Sequence, residues 1–440
     1  MNFQKTPDPQ PDANVNKRPF AWRQIGVSSI WMIAAAAFAL VSQYTIVLLV
    51  ARRSGTIGLG EFSLAQAYVI CVSYVGWLAL RNQYLVDHTG DYDFSDYLFL
   101  RAVFPFFLYA TATLVLVFVY WGSQTAIIAA SLFALKFSEG FSDINAAFFQ
   151  KEHLSHFITA SALLRLIACL AVFVPIYTMS HSLQFGLLAL AAVWLVFFQL
   201  FDNRFRRHVM PLTQNVLDLD INTVSRRWSL FKITFPLGCS SAVMILMNYL
   251  PRLGLNAFSG LQELGLFSAI QYFLTFGAMF MAIVSQAMLP TLSKCVVENK
   301  LLTFAVLVGA FMFIVGLGCV CTWLLAYYIG DQALTLIYGP QFRNLQPLFE
   351  GSIPTMFFVF SGIIMAAGAT AFHLYRTIFV TYMTATIVVA AMTWLLVPKF
   401  AALGAFYALG LGALTQTVIL GLAITTTAIQ RKAPHGWHKW

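Results

Sequence analysis

Charged side chains are scarce in this sequence: only 10% of its 440 residues are Asp, Glu, Lys or Arg, while 60% are hydrophobic. A soluble protein of this length needs a polar surface, and this composition would leave large apolar patches in water. The mean hydropathy of +0.76 is typical of a chain whose solvent is itself apolar. The composition therefore predicts an all-α polytopic membrane protein with short loops.

The motifs of many enzymes and metal proteins are missing as well. There is no Walker A sequence and no Gly-x-Ser-x-Gly elbow, and the six cysteines form no Cys-x-x-Cys pair. The acidic stretch 91–96 has Asp96 where a calcium loop requires glycine. The net charge of +9 comes from Lys and Arg placed mostly between apolar runs, which is not a nucleic-acid-binding pattern. We therefore predict no catalytic residue, no metal or cofactor, and no nucleic-acid partner.

Long apolar runs fill most of the chain. A membrane-spanning helix needs roughly 20 mostly apolar residues, and about twelve runs meet this length. The fourth run is the least apolar because it contains three charged residues. The predicted spans are residues 25–50, 62–80, 102–121, 125–149, 157–177, 183–201, 231–255, 262–290, 301–328, 348–371, 375–397 and 402–429.

The distribution of basic residues predicts the orientation in the membrane. Of the 26 Lys and Arg residues, nineteen fall in the tails and even-numbered loops, five in or beside the odd-numbered loops, and two within spans. Cytoplasmic loops carry the excess of Lys and Arg, so both termini are predicted to be cytoplasmic. This orientation places the odd-numbered loops on the outer face of the membrane.

A short sequence match suggests that the two halves arose by duplication. Residues 59–63 (Leu-Gly-Glu-Phe-Ser) follow the first span, and residues 264–268 (Leu-Gly-Leu-Phe-Ser) follow the seventh, 205 positions later. At the same offset Gln66 matches Gln271. Six spans per half is an even number, so the halves would lie parallel around an axis along the membrane normal. The predicted parts are a tail at 1–24, an N-lobe at 25–201, a basic cytoplasmic linker at 202–230, a C-lobe at 231–429 and a tail at 430–440.

Charges within the apolar runs are candidates for a transport path, since they rarely face lipid. Lys136, Glu139 and Asp143 share one face of the fourth span at positions i, i+3 and i+7. Arg165 in the fifth span is placed to meet Asp143 across the turn between these spans. Two interpretations stay open, and they are compatible: an ion pair that holds two helices together, with Lys136–Glu139 as an intrahelical pair, or a set of groups on the transport path.

Three arginines lie at the predicted outer ends of first-of-half spans. Arg52 and Arg53 end the first span, and Arg252 ends the seventh. Side chains at such positions often extend to the membrane interface without further function. Alternatively, the three form a positive rim at the outer mouth, which suits a phosphate-bearing substrate because the Arg fork matches phosphate geometry.

Several short stretches resemble the O-antigen type of polysaccharide-unit flippase, within the multidrug/oligosaccharidyl-lipid/polysaccharide exporter superfamily. The resemblance implies two six-helix lobes in a V around a central cavity, which work by alternating access. It implies a polyprenyl-pyrophosphate-linked oligosaccharide as substrate, moved across a bacterial inner membrane, and leaves contact with polysaccharide assembly proteins open. The stretches that carry it are residues 59–63, 76–81, 136–144, 235–238, 263–268, 290–293 and 336–339.

Two other functions remain as alternatives. A cation-coupled multidrug exporter of the same superfamily would need a carboxylate site, which Glu139 and Asp143 could supply, but Lys136 and Arg165 would repel a cationic drug. A membrane glycosyl polymerase would need catalytic groups in a large outer loop. The best outer stretch, 330–350, is short and offers few acidic residues.

The charge distribution can be tested directly with reporter fusions. Fusions after residues 228 and 432 should both report the cytoplasm, and a fusion after residue 343 should report the outside. An outside signal at 432 would contradict an even number of spans.

Overall fold

The computed structural model describes residues 22–87, 91–209 and 220–432, and within these residues the chain is helical with no β-strand. Short π-helical turns join α5 to α6 and α7 to α8, and a 3₁₀ turn precedes α12. The helices are α1 (Trp22–Gly76), α2 (Leu80–Val86), α3 (Phe94–Val119), α4 (Gln124–Lys151), α5 (Ser155–Ala168), α6 (Val174–Ser180), α7 (Leu183–Phe197), α8 (Asn203–Val209), α9 (Ile221–Phe258), α10 (Gly260–Val297), α11 (Leu301–Tyr338), α12 (Gln346–Ala371) and α13 (Tyr375–Lys432).

Two helical stretches are too long for one membrane crossing. One runs over 57 residues from Ile30 and the other over 56 from Tyr375, each about 85 Å long at 1.5 Å per residue. Helix α1 is divided at Gly55, where φ is 66°, and α13 at Ala401, where φ is 45°. The first stretch also turns at Leu78 and Ala79, which have positive φ, before α2 begins. The described residues contain nine helical segments apolar enough to span a membrane. If these two cross twice and the charged α4 is included, the architecture is consistent with about twelve spans.

Three boundaries differ from the sequence prediction. The predicted linker 202–230 is largely helical where it is described, because α8 covers Asn203–Val209 and α9 begins at Ile221. Helix α3 begins at Phe94 rather than 102, since Asp93 and Asp96 form a reciprocal cap at its start. The predicted tails lie mostly outside the described residues, although α1 already begins at Trp22 and α13 extends to Lys432.

The two halves form lobes that share one hydrophobic core at the predicted outer end and have separate cores elsewhere. The shared core contains Leu59 from α1 and Leu264 from α10. A second core lies among the helices of the first half around Phe148, and a third among those of the second half around Leu292. The lobes are therefore closed against each other at the outer end.

The matched motifs of the two halves contact each other reciprocally at this closure. A Cβ on Gly60 would collide with the carbonyl oxygen of Leu261, and a Cβ on Gly265 with that of Thr56. Thr56 and Leu261 are themselves 205 positions apart, as are the two glycines. This reciprocal backbone contact, here called the outer seam, is what a twofold axis between duplicated halves produces.

Helix α9 belongs to both lobes. At its start, Arg226 and Arg227 bind the fully buried Asp96 of α3 at 2.6 Å and 3.1 Å. Farther along, Gly238 lies so close to the backbone of Leu78 that a Cβ would approach it to 2.9 Å. Helix α9 also packs against α1 of the first lobe and against α13 and α10 of the second lobe. The helix thus links the predicted cytoplasmic side of the first lobe to the second.

Gly60→Ala should destabilise the closed outer seam by about 1–3 kcal/mol, because its Cβ meets backbone that cannot rotate away. The measurement is the thermal unfolding midpoint of the purified protein. Gly309→Ala is the matched control, since a Cβ at Gly309 meets nothing within 4 Å. Equal midpoints for the two variants would contradict the backbone contact.

Candidate functional site

A cavity of about 380 Å³ lies between the two lobes, beneath the outer seam. Helices of both halves line it, so its shape depends on how the lobes are placed. Its aromatic wall includes Trp77 and Tyr249, and its charged groups are Lys136, Glu139 and Arg252. A volume at the lower end of the range for ligand pockets admits a compact polar group rather than a long chain.

Arg252 is a buried cation at the boundary between the lobes. Only 2% of the residue is exposed. Its Nε donates to Gln271 Oε1 at 2.8 Å, and its Nη1 donates to Gln66 Oε1 at 3.0 Å. The ring of Tyr249 lies 4.8 Å from the guanidinium carbon. Among the described residues no carboxylate forms an ion pair with it, so neutral amides and aromatic rings alone stabilise its charge.

The prediction that Arg252 belongs to an outer rim is therefore wrong. Helix α9 continues to Phe258, and the outer seam closes above it. The side chain consequently lies inside the protein, where it lines the central cavity.

Lys136 and Glu139 form the predicted intrahelical pair, with 2.6 Å between Nζ and Oε2. Both line the central cavity, and both also line a second cavity of about 190 Å³ within the first lobe. Arg165 lines only the second cavity. The Lys136–Glu139 pair thus lies between the two cavities and is partly buried.

Asp143 does not pair with Arg165, and that prediction is wrong. Its two carboxylate oxygens instead accept from Arg81 at 2.9 Å and from Arg101 at 2.8 Å. Arg81 comes within reach because α2 follows a turn at left-handed Leu78 and then packs against α4. Arg101 is 1% exposed and faces α4 from seven residues inside α3.

Arg165 has a separate environment. It donates weakly to the carbonyl oxygen and hydroxyl of Ser161, and it lies 5.8 Å from the ring of Trp194. The acidic side chain on which its charge acts is the buried Asp202, at the π-helical turn after α7. The structure therefore places Arg165 at the second cavity, whereas Arg252 lines the central cavity.

Arg52 and Arg53 lie on the surface at the predicted outer face, away from the central cavity. Arg52 donates to the carbonyl oxygens of Leu336 and Ile337 at 2.5 Å and 2.7 Å, at the end of α11 in the other lobe. Arg53 donates to the carbonyl oxygen of Thr178 at 2.9 Å. Both satisfy helix-end carbonyls, a favourable place for a cation. They do not form a common rim with Arg252.

Several cavity residues escaped the sequence analysis. Trp77 lies 5.7 Å from the cations of both Arg101 and Lys136. Arg101 was assigned to the membrane border because the cap formed by Asp93 and Asp96 was not used to start α3. The sequence analysis names Gln66 and Gln271 only as matched positions. Two identical polar residues at equivalent turns of the two halves are the signal that indicates a shared binding site.

Known proteins with a similar sequence or fold are transporters or polysaccharide biosynthesis proteins. The capsular polysaccharide biosynthesis protein CapF of Staphylococcus aureus is 25% identical over 378 residues, which are 85% of this chain and 93% of CapF. An inward-facing multidrug-resistance MATE transporter of the MOP superfamily superposes with a TM-score of 0.67 at 11% identity, covering 91% of this chain and 99% of that one. The lipid II flippase MurJ, inward closed, has a TM-score of 0.66 at 12% identity, covering 91% and 89%. No family model matches the sequence.

The chain shares the fold of these solved transporters. The predicted resemblance to the multidrug/oligosaccharidyl-lipid/polysaccharide exporter superfamily is confirmed. The two-lobe, all-helical, multi-pass architecture is confirmed with it. The name of CapF adds a relative that takes part in capsular polysaccharide biosynthesis.

Asp143→Ala should leave Arg81 and Arg101 without their counter-charge and cost about 3–5 kcal/mol, because a broken buried pair leaves an uncompensated charge. The readout is the membrane abundance of folded protein. Exchanging the charges of the true pair, Asp143→Arg with Arg101→Asp, should recover part of the loss. The control exchange of Asp143 with Arg165 should recover none. Equal recovery by both exchanges would contradict the observed pairing.

Proposed function

We propose that this protein is a flippase that moves a polyprenyl-pyrophosphate-linked oligosaccharide across the bacterial inner membrane by alternating access, for surface polysaccharide biosynthesis. The observation that carries the proposal is the buried, unneutralised Arg252 in a cavity between two lobes. A pyrophosphate is multiply negative, and its passage through a low-dielectric region requires cations along the path. The head group would occupy the cavity while the lipid tail stays in the bilayer.

The net charge of the residues that line the cavity supports an anionic substrate over a cationic one. Glu139 is its only carboxylate among the described lining residues, and Lys136 already neutralises it at 2.6 Å. Arg252 therefore leaves an excess of one positive charge. An exporter of cationic drugs would need the opposite balance, so the cation-coupled exporter is the weaker candidate.

The outer seam supports an inward-facing role for the described conformation. With the lobes closed at the predicted outer end, a head group would reach the cavity from the cytoplasmic side. The proposal includes cytoplasmic termini, lobes at 25–201 and 231–429, and no enzymatic step.

The test is complementation of a strain that lacks its own flippase, with surface polysaccharide measured at matched protein levels. Arg252→Ala should reduce export by about tenfold or more, because a charge-assisted bond to phosphate is lost. Arg252→Lys should be intermediate, since Lys keeps the charge but not the fork.

The matched control is Arg53→Ala, which removes an arginine that faces the outer surface and should leave export near wild type. Unchanged export in Arg252→Ala, and in a variant with Arg165→Ala added, would overturn the cationic path. Resistance to cationic drugs that depends on Glu139 would then favour the exporter.

A further inference from the structure

The Arg252 site also joins the two lobes. Gln66 belongs to α1 in the first lobe, whereas Arg252 and Gln271 belong to α9 and α10 in the second. The bond from Arg252 Nη1 to Gln66 Oε1 therefore crosses the lobe boundary, and Tyr272 donates to the same oxygen across it at 2.7 Å. These bonds lie one to two helical turns from the outer seam on both α1 and α10.

The arrangement is built on the pseudo-twofold axis but is not symmetric. Gln66 and Gln271 are equivalent by the 205-residue offset, and both accept from one guanidinium. The position equivalent to Arg252 in the first half is Val47, which is apolar and buried. A single cation thus stands between two equivalent amides, one from each lobe.

From this geometry we propose that Arg252, Gln66 and Gln271 form a latch, which keeps the outer seam closed while the cavity is empty and opens when a phosphate group binds Arg252. The inference rests on the proposed function for the identity of the anion. It adds a step to alternating access: the group that recognises the substrate is also the group that ties the lobes together.

The physical basis is competition for the guanidinium. A bond from Arg to a neutral amide oxygen has one charged partner, whereas a bond to a phosphate oxygen has two and can engage the guanidinium through two parallel N–H groups, so the phosphate is the stronger acceptor. When a pyrophosphate enters the cavity, the guanidinium turns its donors toward the anion and the bond to Gln66 weakens. The closed state then loses a cross-lobe bond, and the equilibrium shifts toward separation of the outer ends.

The outer seam is suited to such control because backbone contact is sensitive to small displacements. Gly60 and Gly265 lie against opposing carbonyl groups. A small rotation of α1 relative to α10 removes both contacts together, so the seam has two discrete arrangements rather than a continuous range.

The experiment measures the distance between spin labels across the outer seam in the full-length protein in lipid nanodiscs. The native cysteines are replaced, and labels are placed at Ile57→Cys and Gln262→Cys. Both positions are exposed, and they are equivalent by the 205-residue offset. The probe ligand is inorganic pyrophosphate, whose binding is measured separately by calorimetry.

In the absence of pyrophosphate, Gln66→Leu should increase the ratio of open to closed protein by about tenfold, because a bond to a charged donor is lost. Gln66→Glu should decrease that ratio and reduce the response to pyrophosphate, since a carboxylate holds Arg252 more strongly. If Gln66 only packed against its neighbours, these two substitutions would not change the ratio of open to closed protein in opposite directions. The control is Gln43→Leu, the same change at another position that lines the cavity.

In the wild-type protein, pyrophosphate should lengthen the label distance, and Arg252→Gln should abolish this response. The latch is overturned if Gln66→Leu and Gln43→Leu give the same distances, or if pyrophosphate binds without changing them. Absence of pyrophosphate binding would count against the anion site of the proposed function and against release of the latch. The comparison of Gln66→Leu with Gln66→Glu without ligand would still test whether the hydrogen bond between Arg252 and Gln66 holds the lobes together.

Discussion

The two lobes meet at backbone distance where Gly60 faces Leu261 and Gly265 faces Thr56. No side chain separates α1 from α10 there, so the two helices leave the contact close together and diverge from it. Gln66 and Gln271 follow the glycines on the two helices and therefore reach the same guanidinium. The central cavity, its depth below the outer face and the cross-lobe hydrogen bonds all follow from this one close approach.

The charged side chains in the membrane region differ in whether a partner of opposite charge compensates them. Asp143 is held between Arg81 and Arg101, and Lys136 is paired with Glu139. These groups have compensating partners on their own lobe, which reduces the cost of burying them. Arg252 differs because its acceptors are neutral. In the proposed latch, this uncompensated cation at the lobe boundary connects the charge of the substrate with the separation of the lobes.

Helix α9 connects the two lobes physically. Its first turns are fixed to α3 of the first lobe through Asp96, and its later part carries Arg252. The helix packs against α1 of the first lobe and against α13 and α10 of the second. Pro236 and Pro251 each remove a backbone hydrogen bond along its length. Any rocking of the lobes must therefore be absorbed within α9, or by release of its ion pairs at the predicted cytoplasmic side. Arg252, which we propose binds the substrate, lies on this helix that contacts both lobes.

The sequence by itself determined the membrane class, the approximate positions of the spans and the pair Lys136–Glu139, because these depend on composition and on residues close in the chain. It also brought Lys136, Glu139 and Arg252 forward as candidates, which the fold places around one cavity. Only the tertiary structure decided that Asp143 pairs with Arg81 and Arg101, and that Arg252 is buried. Those outcomes depend on how separate helices approach one another, and spacing along the chain carries no information about which of several arginines lies nearest.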